Sequence, residues 1–221
     1  MRKIADLAAL LDFCRRLLYP VLTGKNEVND MELYVIRHGE SEANYARRYS
    51  GWWNVNLTEK GRADAANAGR VLAGVQFDRI YSSDLNRAIQ TAKIALPGCE
   101  PEQTAQIREI HVGDLAGRLY EDVIANGGEE FQKNWAARDF SPYNGESHQQ
   151  HVRRVTEFMQ QFERDDNETI AVFCHAGVLR CMLQYVIGGN VTAVKAQVHN
   201  GAVCRFRWTE GTWQLVTWNQ V

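Results

Sequence analysis

Two short polar stretches in this chain carry side chains suited to moving a phosphoryl group. Arg37-His38-Gly39-Glu40 follows one apolar run, and Cys174-His175-Ala176-Gly177 closes another, far along the chain. A transferring phosphoryl group needs its equatorial oxygens neutralised, a nucleophile in line, and a proton for the departing oxygen. Neutral imidazole is abundant near pH 7 and can attack phosphorus. Guanidinium is the best clamp, because its planar fork meets phosphate oxygens in pairs. Backbone N–H groups at helix starts supply further donors. These requirements nominate Arg37, His38 and His175. Arg87, in the first turn of an expected helix just after a strand, can reach the same pocket.

The elements that must position these groups are readable from periodicity. Residues 32–36 form a nearly continuous apolar run, as in a strand buried on both faces. Thr58 is placed to cap a helix that runs to about Ala73 and closes at Gly74. A second run, 77–81, leads into Ser82-Ser83-Asp84, which are expected to cap a helix over 85–96 before Pro97-Gly98. The middle third reads more weakly: a strand over 104–107, a broken helix over 119–138, and a loop over 141–145. Ser147 caps a helix over 148–162, and Asp165-Asp166-Asn167 marks a turn. Residues 169–174 form the clearest strand, followed by a helix that ends at Gly188-Gly189. Residues 203–208 and 213–218, joined by Glu210-Gly211, read as a hairpin.

Strands alternating with helices predict an α/β fold, a three-layer α/β/α sandwich around a mostly parallel sheet. Ligands in such sheets sit beyond the carboxyl ends of the strands, where both histidine stretches fall.

Bulk properties narrow the class. The chain has 221 residues, 45% hydrophobic and 24% charged, with a formal net charge of −2. One domain with an ordinary core is expected. The near-balance of charge offers no global attraction to nucleic acid or to an anionic membrane. Five cysteines without zinc or redox spacing fit a reducing cytoplasm. In the first thirty residues, Ile4, Leu7, Leu11, Cys14 and Leu18 recur as one stripe of an amphipathic helix, ended by Pro20 and Gly24. The expected division is therefore an extension over 1–30 and a domain over 31–221. The extension reads as a helix packed on the domain, with a homodimer or another partner as its alternative use.

Rival chemistry is also present. Cys174 and Arg180 bound a Cys-x5-Arg string, the pattern of a thiolate phosphatase loop. Against it, Cys174 falls at the end of a strand and Arg180 inside the next helix. His148 and His151, at i and i+3, could grip a metal, but no third ligand stands nearby, and both read as surface residues. Arg87 could pair with Asp84 on a helix face. Tyr49, Trp52 and Trp53 either form a substrate wall or pack a loop.

Taken in order, several segments resemble the motifs of the histidine phosphatase superfamily, the phosphoglycerate mutase-like proteins. Arg37-His38-Gly39-Glu40-Ser41 with Asn44 resembles its opening motif. Ser50-Gly51 and Leu57-Thr58-Glu59-Lys60-Gly61 resemble the loop and helix start that follow. The stretch from Ser82 to Ala92, with Arg87, resembles the segment bearing the second phosphate arginine. Arg108-Glu109-Ile110 with Gly113 and Gly117 resembles the acid/base segment. Gly145-Glu146-Ser147 and Cys174-His175-Ala176-Gly177 resemble the last two motifs. Coverage runs from about Met31 to Trp218.

The resemblance implies that His38 attacks phosphorus, that Arg37, Arg87 and His175 hold the oxygens, and that Glu109 is the acid and base. Asn44, Ser50, Gly51 and the Ala176 amide are implied substrate-binding positions, with no metal and no cofactor. It implies a phosphatase acting on a small phosphorylated substrate, with an α-ribazole phosphate, a sugar phosphate and a broad range all open. A cofactor-dependent mutase and a non-catalytic phospholigand-binding module are the alternatives. The chain departs from the pattern at Asn56, where many members carry proline, and in its N-terminal extension.

Overall fold

A computed structural model describes residues 30–164, 167–188 and 196–221. The helix expected over 1–30 lies outside them, as does most of the turn expected at 165–167 and the Gly189 end of the last expected helix.

The sheet is organised around β1 (Met31–Arg37) and β4 (Thr169–Cys174), which pair in parallel with Ile36 opposite Phe173 and Arg37 opposite Cys174. Continuous apolar sequence suits both strands, because each is covered on both faces. Four strands run parallel in the order β3 (Glu102–Thr104), β2 (Arg79–Ser83), β4, β1, and an antiparallel hairpin of β5 (Val203–Thr209) and β6 (Thr212–Gln220) extends the β1 side. The sheet is therefore mixed, with its parallel part carrying the site.

Helices cover both faces. Met31, Leu33 and Val35 of β1 and Ile170 and Val172 of β4 pack against Val155, Phe158 and Met159 of α6 (His148–Gln160) and Val178, Leu179 and Met182 of α7 (Ala176–Ile187). On the other face, Ile36, Ala171 and Phe173 meet Ala68 of α2 (Glu59–Val71) and Ala92 and Ala95 of α3 (Asn86–Ala95). Each large apolar side chain sealed this way contributes about 1.5–3 kcal/mol relative to exposure. A short helix, α1 (Glu42–Tyr45), follows β1. A third cluster, Tyr49, Val112, Leu115, Val123, Phe131 and Phe140, holds α4 (Tyr120–Asn126) and α5 (Gly128–Ala137) together beside the loop after α1.

Two glycines let the exit loop of β1 sit on the start of α2. A Cβ on Gly39 would stand 2.1 Å from the Gly61 carbonyl oxygen, and one on Gly61 would stand 1.9 Å from that of Glu40. Thr58 caps α2 as expected, its Oγ1 accepting from Gly61 N at 3.0 Å.

Several expected boundaries move. The strand read over 77–81 is Arg79–Ser83, and the strand read over 104–107 ends at Thr104, where a 3₁₀ turn, Ala105–Ile107, takes over. The loop read over 141–145 contains a 3₁₀ turn, Ser141–Tyr143. Ser82, Ser83 and Asp84 do not cap α3 from the N-cap position, which Leu85 holds without a side-chain bond. Their polar groups bond chiefly elsewhere: Ser82 to the Ser83 carbonyl, Ser83 to His175 as well as to the Leu85 N–H at 3.4 Å, and Asp84 to Arg108.

Candidate active site

His38 is the first residue past β1, and its N–H donates to the Cys174 carbonyl at 3.0 Å, continuing the β1–β4 ladder by one residue. Its side chain is buried, with Nδ1 at 2.6 Å from the Gly39 carbonyl oxygen. A carbonyl only accepts, so Nδ1 carries the ring proton and Nε2 keeps its lone pair. Burial, then the charges of Arg87 and Arg37, hold the His38 pKa well below the usual histidine value. The ring is thus neutral across the physiological range.

His175 follows β4 as His38 follows β1, and the two ring centroids are 5.1 Å apart at 62°. Arg87 Nε lies 3.2 Å from His175 Nδ1, and because arginine only donates, the proton sits on Nε2, which donates to Ser83 Oγ at 2.9 Å. Burial, followed by the charge of Arg87, keeps this imidazole neutral too.

Arg87 is fully buried and donates to the carbonyls of Trp53 at 3.0 Å and Gly51 at 2.8 Å, fastening that loop to α3. Burial lowers its pKa to about 10, which still leaves it cationic. Its pairing with Asp84, allowed by the sequence, does not occur, since Asp84 takes Arg108 instead.

In front of His38 lies a cavity of about 460 Å³. Arg37, His38, Asn44, Glu109 and Ala176 stand on its wall, with Ser50 and Gly51. Arg87 and His175 stand behind that wall, against His38. Arg37 donates to the Val198 carbonyl at 2.6 Å through Nη1, whereas its Nε is buried without a partner. Asn44 Oδ1 is spent on the Ser41 N–H at 3.1 Å and on Asn200 Nδ2 at 3.3 Å, which leaves its own amide N–H groups for a ligand. Ala176 opens α7, where the helix dipole favours an anion.

Glu109 is held on both oxygens. Oε1 accepts from Ile110 N at 2.9 Å and Oε2 from Gly177 N at 3.1 Å. Its own carbonyl accepts from Trp52 Nε1 at 2.8 Å and Arg154 Nη2 at 2.9 Å. Burial works to raise its pKa, but His151 and the two backbone donors outweigh that and hold it below the ordinary carboxylate value.

The cavity wall also carries Arg138, which the sequence did not single out, and His151 and Arg180, which it weighed only for a metal grip and a thiolate loop. Elsewhere arginines find carboxylates, as in Arg108–Asp84, Arg154–Glu146 and Arg205–Glu32. Among the described residues, none lies within ion-pair distance of Arg37, Arg138 or Arg180. Arg180, four positions after Ala176 on α7, was findable from helix spacing. Arg138 was not, because it sits in a left-handed C-cap that no local pattern announces.

His151 corrects the surface reading. It is 2% exposed, and it belongs to the stripe of Val155, Phe158 and Met159 that α6 turns inward. Spacing along that stripe carried the signal. His148, expected at the surface as well, is half-buried and bonded to Gln184 at 3.3 Å.

The thiolate alternative fails on geometry. Cys174 is fully buried, its thiol pushed well above the usual value by burial, and Arg180 lies within α7 rather than closing a loop around the sulfur.

Known proteins resemble this chain over most of its length. The family model described as histidine phosphatase superfamily (branch 1) matches residues 33–221. The adenosylcobalamin/alpha-ribazole phosphatase of Salmonella typhimurium is 30% identical over 191 residues, covering 84% of this chain and 90% of its own. A 2,3-bisphosphoglycerate-dependent phosphoglycerate mutase of Brucella canis is 34% identical over 182 residues, covering 77% and 88%. Among solved structures, Bacillus stearothermophilus YhfR superposes with a TM-score of 0.79 at 29% identity, covering 86% of this chain and 98% of that one. The chain belongs to the histidine phosphatase superfamily.

Proposed function

We propose that this chain is a phosphomonoesterase that works through a phosphohistidine on His38. The observation that carries the reading is the tautomer of His38. With Nδ1 fixed on the Gly39 carbonyl, Nε2 is left with a lone pair, on a ring that borders a cavity with unpaired guanidinium groups on its wall.

The phosphate of a small ester enters with its oxygens toward Arg37 and the Ala176 N–H. Arg87, behind the ring, supplies positive potential, and the neutral His175 beside it fixes the ring's place. His38 Nε2 attacks phosphorus in line, the P–O bond to the alcohol breaks, and Glu109 gives the leaving oxygen its proton. Water then attacks phospho-His38, and Glu109 takes the proton that the water loses. Charge neutralisation comes from guanidinium groups preorganised on the cavity wall, aimed at the charge that develops on phosphorus oxygens. The identity to a named phosphatase over most of both chains supports the same reading.

A panel of phosphomonoesters assayed in chelator tests it. Release of inorganic phosphate, abolished in His38→Ala, is the expected result. Exchange between 2- and 3-phosphoglycerate without phosphate release would replace the reading with a mutase. Saturable binding without turnover would reduce the protein to a phospholigand-binding module.

A further inference from the structure

Glu109 presents a difficulty for its own role. Both its oxygens accept backbone N–H groups, an arrangement that stabilises the carboxylate, yet a general acid must begin each cycle protonated. The group able to resolve this stands beside it. His151 reaches the cavity wall from the buried face of α6, and its Nε2 is buried without any hydrogen-bond partner. Its Nδ1 meets only the Cys181 sulfur, at 3.6 Å. The same point in space, where a Cβ on Gly177 would stand, lies 2.0 Å from Glu109 Oε1 and 2.9 Å from His151 Cε1. Carboxylate and imidazole therefore share one face of Gly177, and only a glycine there leaves room for both.

Resting on the phosphohistidine reading, we propose that His151 is the positioning residue that shares the acid/base proton with Glu109. Among the described residues no ring nitrogen of His151 comes within ion-pair distance of a Glu109 oxygen, so the proton passes between them through a water of the cavity that both line. It leaves from Glu109 to the alcohol oxygen as the P–O bond breaks, and is replaced by the one lost from the attacking water. The other groups facing His151 are Glu146 and Arg154, which pair with each other at 2.8 Å, His148 on the same helix, and Cys181 on α7. Burial first, offset by Glu109, lowers the resting His151 pKa to about 4, so the pair holds no extra proton until a phosphate dianion enters and raises both members.

The test compares two esters in two variants. His151→Gln keeps polarity but cannot carry a proton, and His151→Phe keeps apolar packing. The p-nitrophenyl ester has a leaving group that departs without a proton, whereas glycerol 3-phosphate needs one. General acid–base catalysis contributes about 10²–10⁴-fold, so removing the partner should cost on the order of tenfold in kcat/KM on glycerol 3-phosphate and less than about twofold on p-nitrophenyl phosphate. The alkaline limb of the glycerol 3-phosphate profile should move to lower pH, because a carboxyl alone holds its proton less well than the pair. Equal losses on both esters, tracking a fall in melting temperature, would make His151 a packing residue and overturn the proposal. An unmoved alkaline limb would overturn it as well. Wild-type protein that hydrolyses neither ester would bring down the phosphatase reading itself.

Discussion

His38 and His175 stand with ring centroids 5.1 Å apart because β1 and β4 are sheet neighbours in one register, Arg37 opposite Cys174. Neither histidine has a choice of neighbour once those strands pair. A one-residue slip would turn both side chains to opposite faces of the sheet. The placing of the two rings is thus a consequence of strand pairing.

Both histidines and His151 are held neutral by burial, and that has a pH signature. A histidine whose folded pKa is depressed binds fewer protons folded than unfolded, so its contribution to stability is complete above the unfolded value and is lost as pH falls. Melting temperature should therefore be flat above about pH 6.5 and fall between there and about pH 4, the value given for His151. Replacing His151 with Phe should flatten part of that fall. A melting temperature constant across this window would contradict burial of neutral imidazoles.

Gly177→Ala separates site geometry from stability. The added methyl would meet Glu109 Oε1 at 2.0 Å, and the side chain can swing away at modest cost to folding. Activity on an alkyl phosphate should fall at least about tenfold, since general acid–base catalysis contributes about 10²–10⁴-fold. Its melting temperature should drop less than that of Gly39→Ala, whose methyl meets backbone at 2.1 Å. A Gly177→Ala enzyme with wild-type kcat would show that Glu109 is not held where this account needs it.

Arg138 and Arg180 face the cavity without carboxylate partners. Changing either to Ala should raise KM several-fold with a smaller change in kcat, as loss of a charge-assisted hydrogen bond of about 1.5–3 kcal/mol implies. Steady-state kinetics on a turned-over phosphate ester decides it. Unchanged KM in both variants would place these guanidinium groups out of reach of the substrate.

Cys174→Ser should remain active. Its thiol is sealed in the core and takes no part in the chemistry proposed, so only stability should change, by about 1–3 kcal/mol for a buried hydroxyl lacking full partners. Loss of turnover in a folded Cys174→Ser protein would reopen the thiolate mechanism.

The legibility of this protein in its sequence was uneven for physical reasons. The strands at β1 and β4 were readable because burial on both faces leaves unbroken apolar runs, and the helix starts at Thr58 and Ser147 because side-chain caps use few residue types. The start of α3 is legible to within a residue, but its cap is not, because Ser82, Ser83 and Asp84 look like caps while Ser83 and Asp84 serve His175 and Arg108 across the fold. His151 was misread because an imidazole counts as polar in a pattern, while α6 buries it with Val155 and Phe158. Arg138 depends on a left-handed backbone turn that only tertiary packing selects.

The most direct test is to trap the intermediate. The enzyme is mixed with a ³²P-labelled phosphomonoester, quenched in alkali during turnover, digested, and its labelled peptide mapped by mass spectrometry. Base-stable, acid-labile phosphate on His38, absent from His38→Ala, is the result predicted. Label on any other residue, or steady turnover by His38→Ala, would contradict the account.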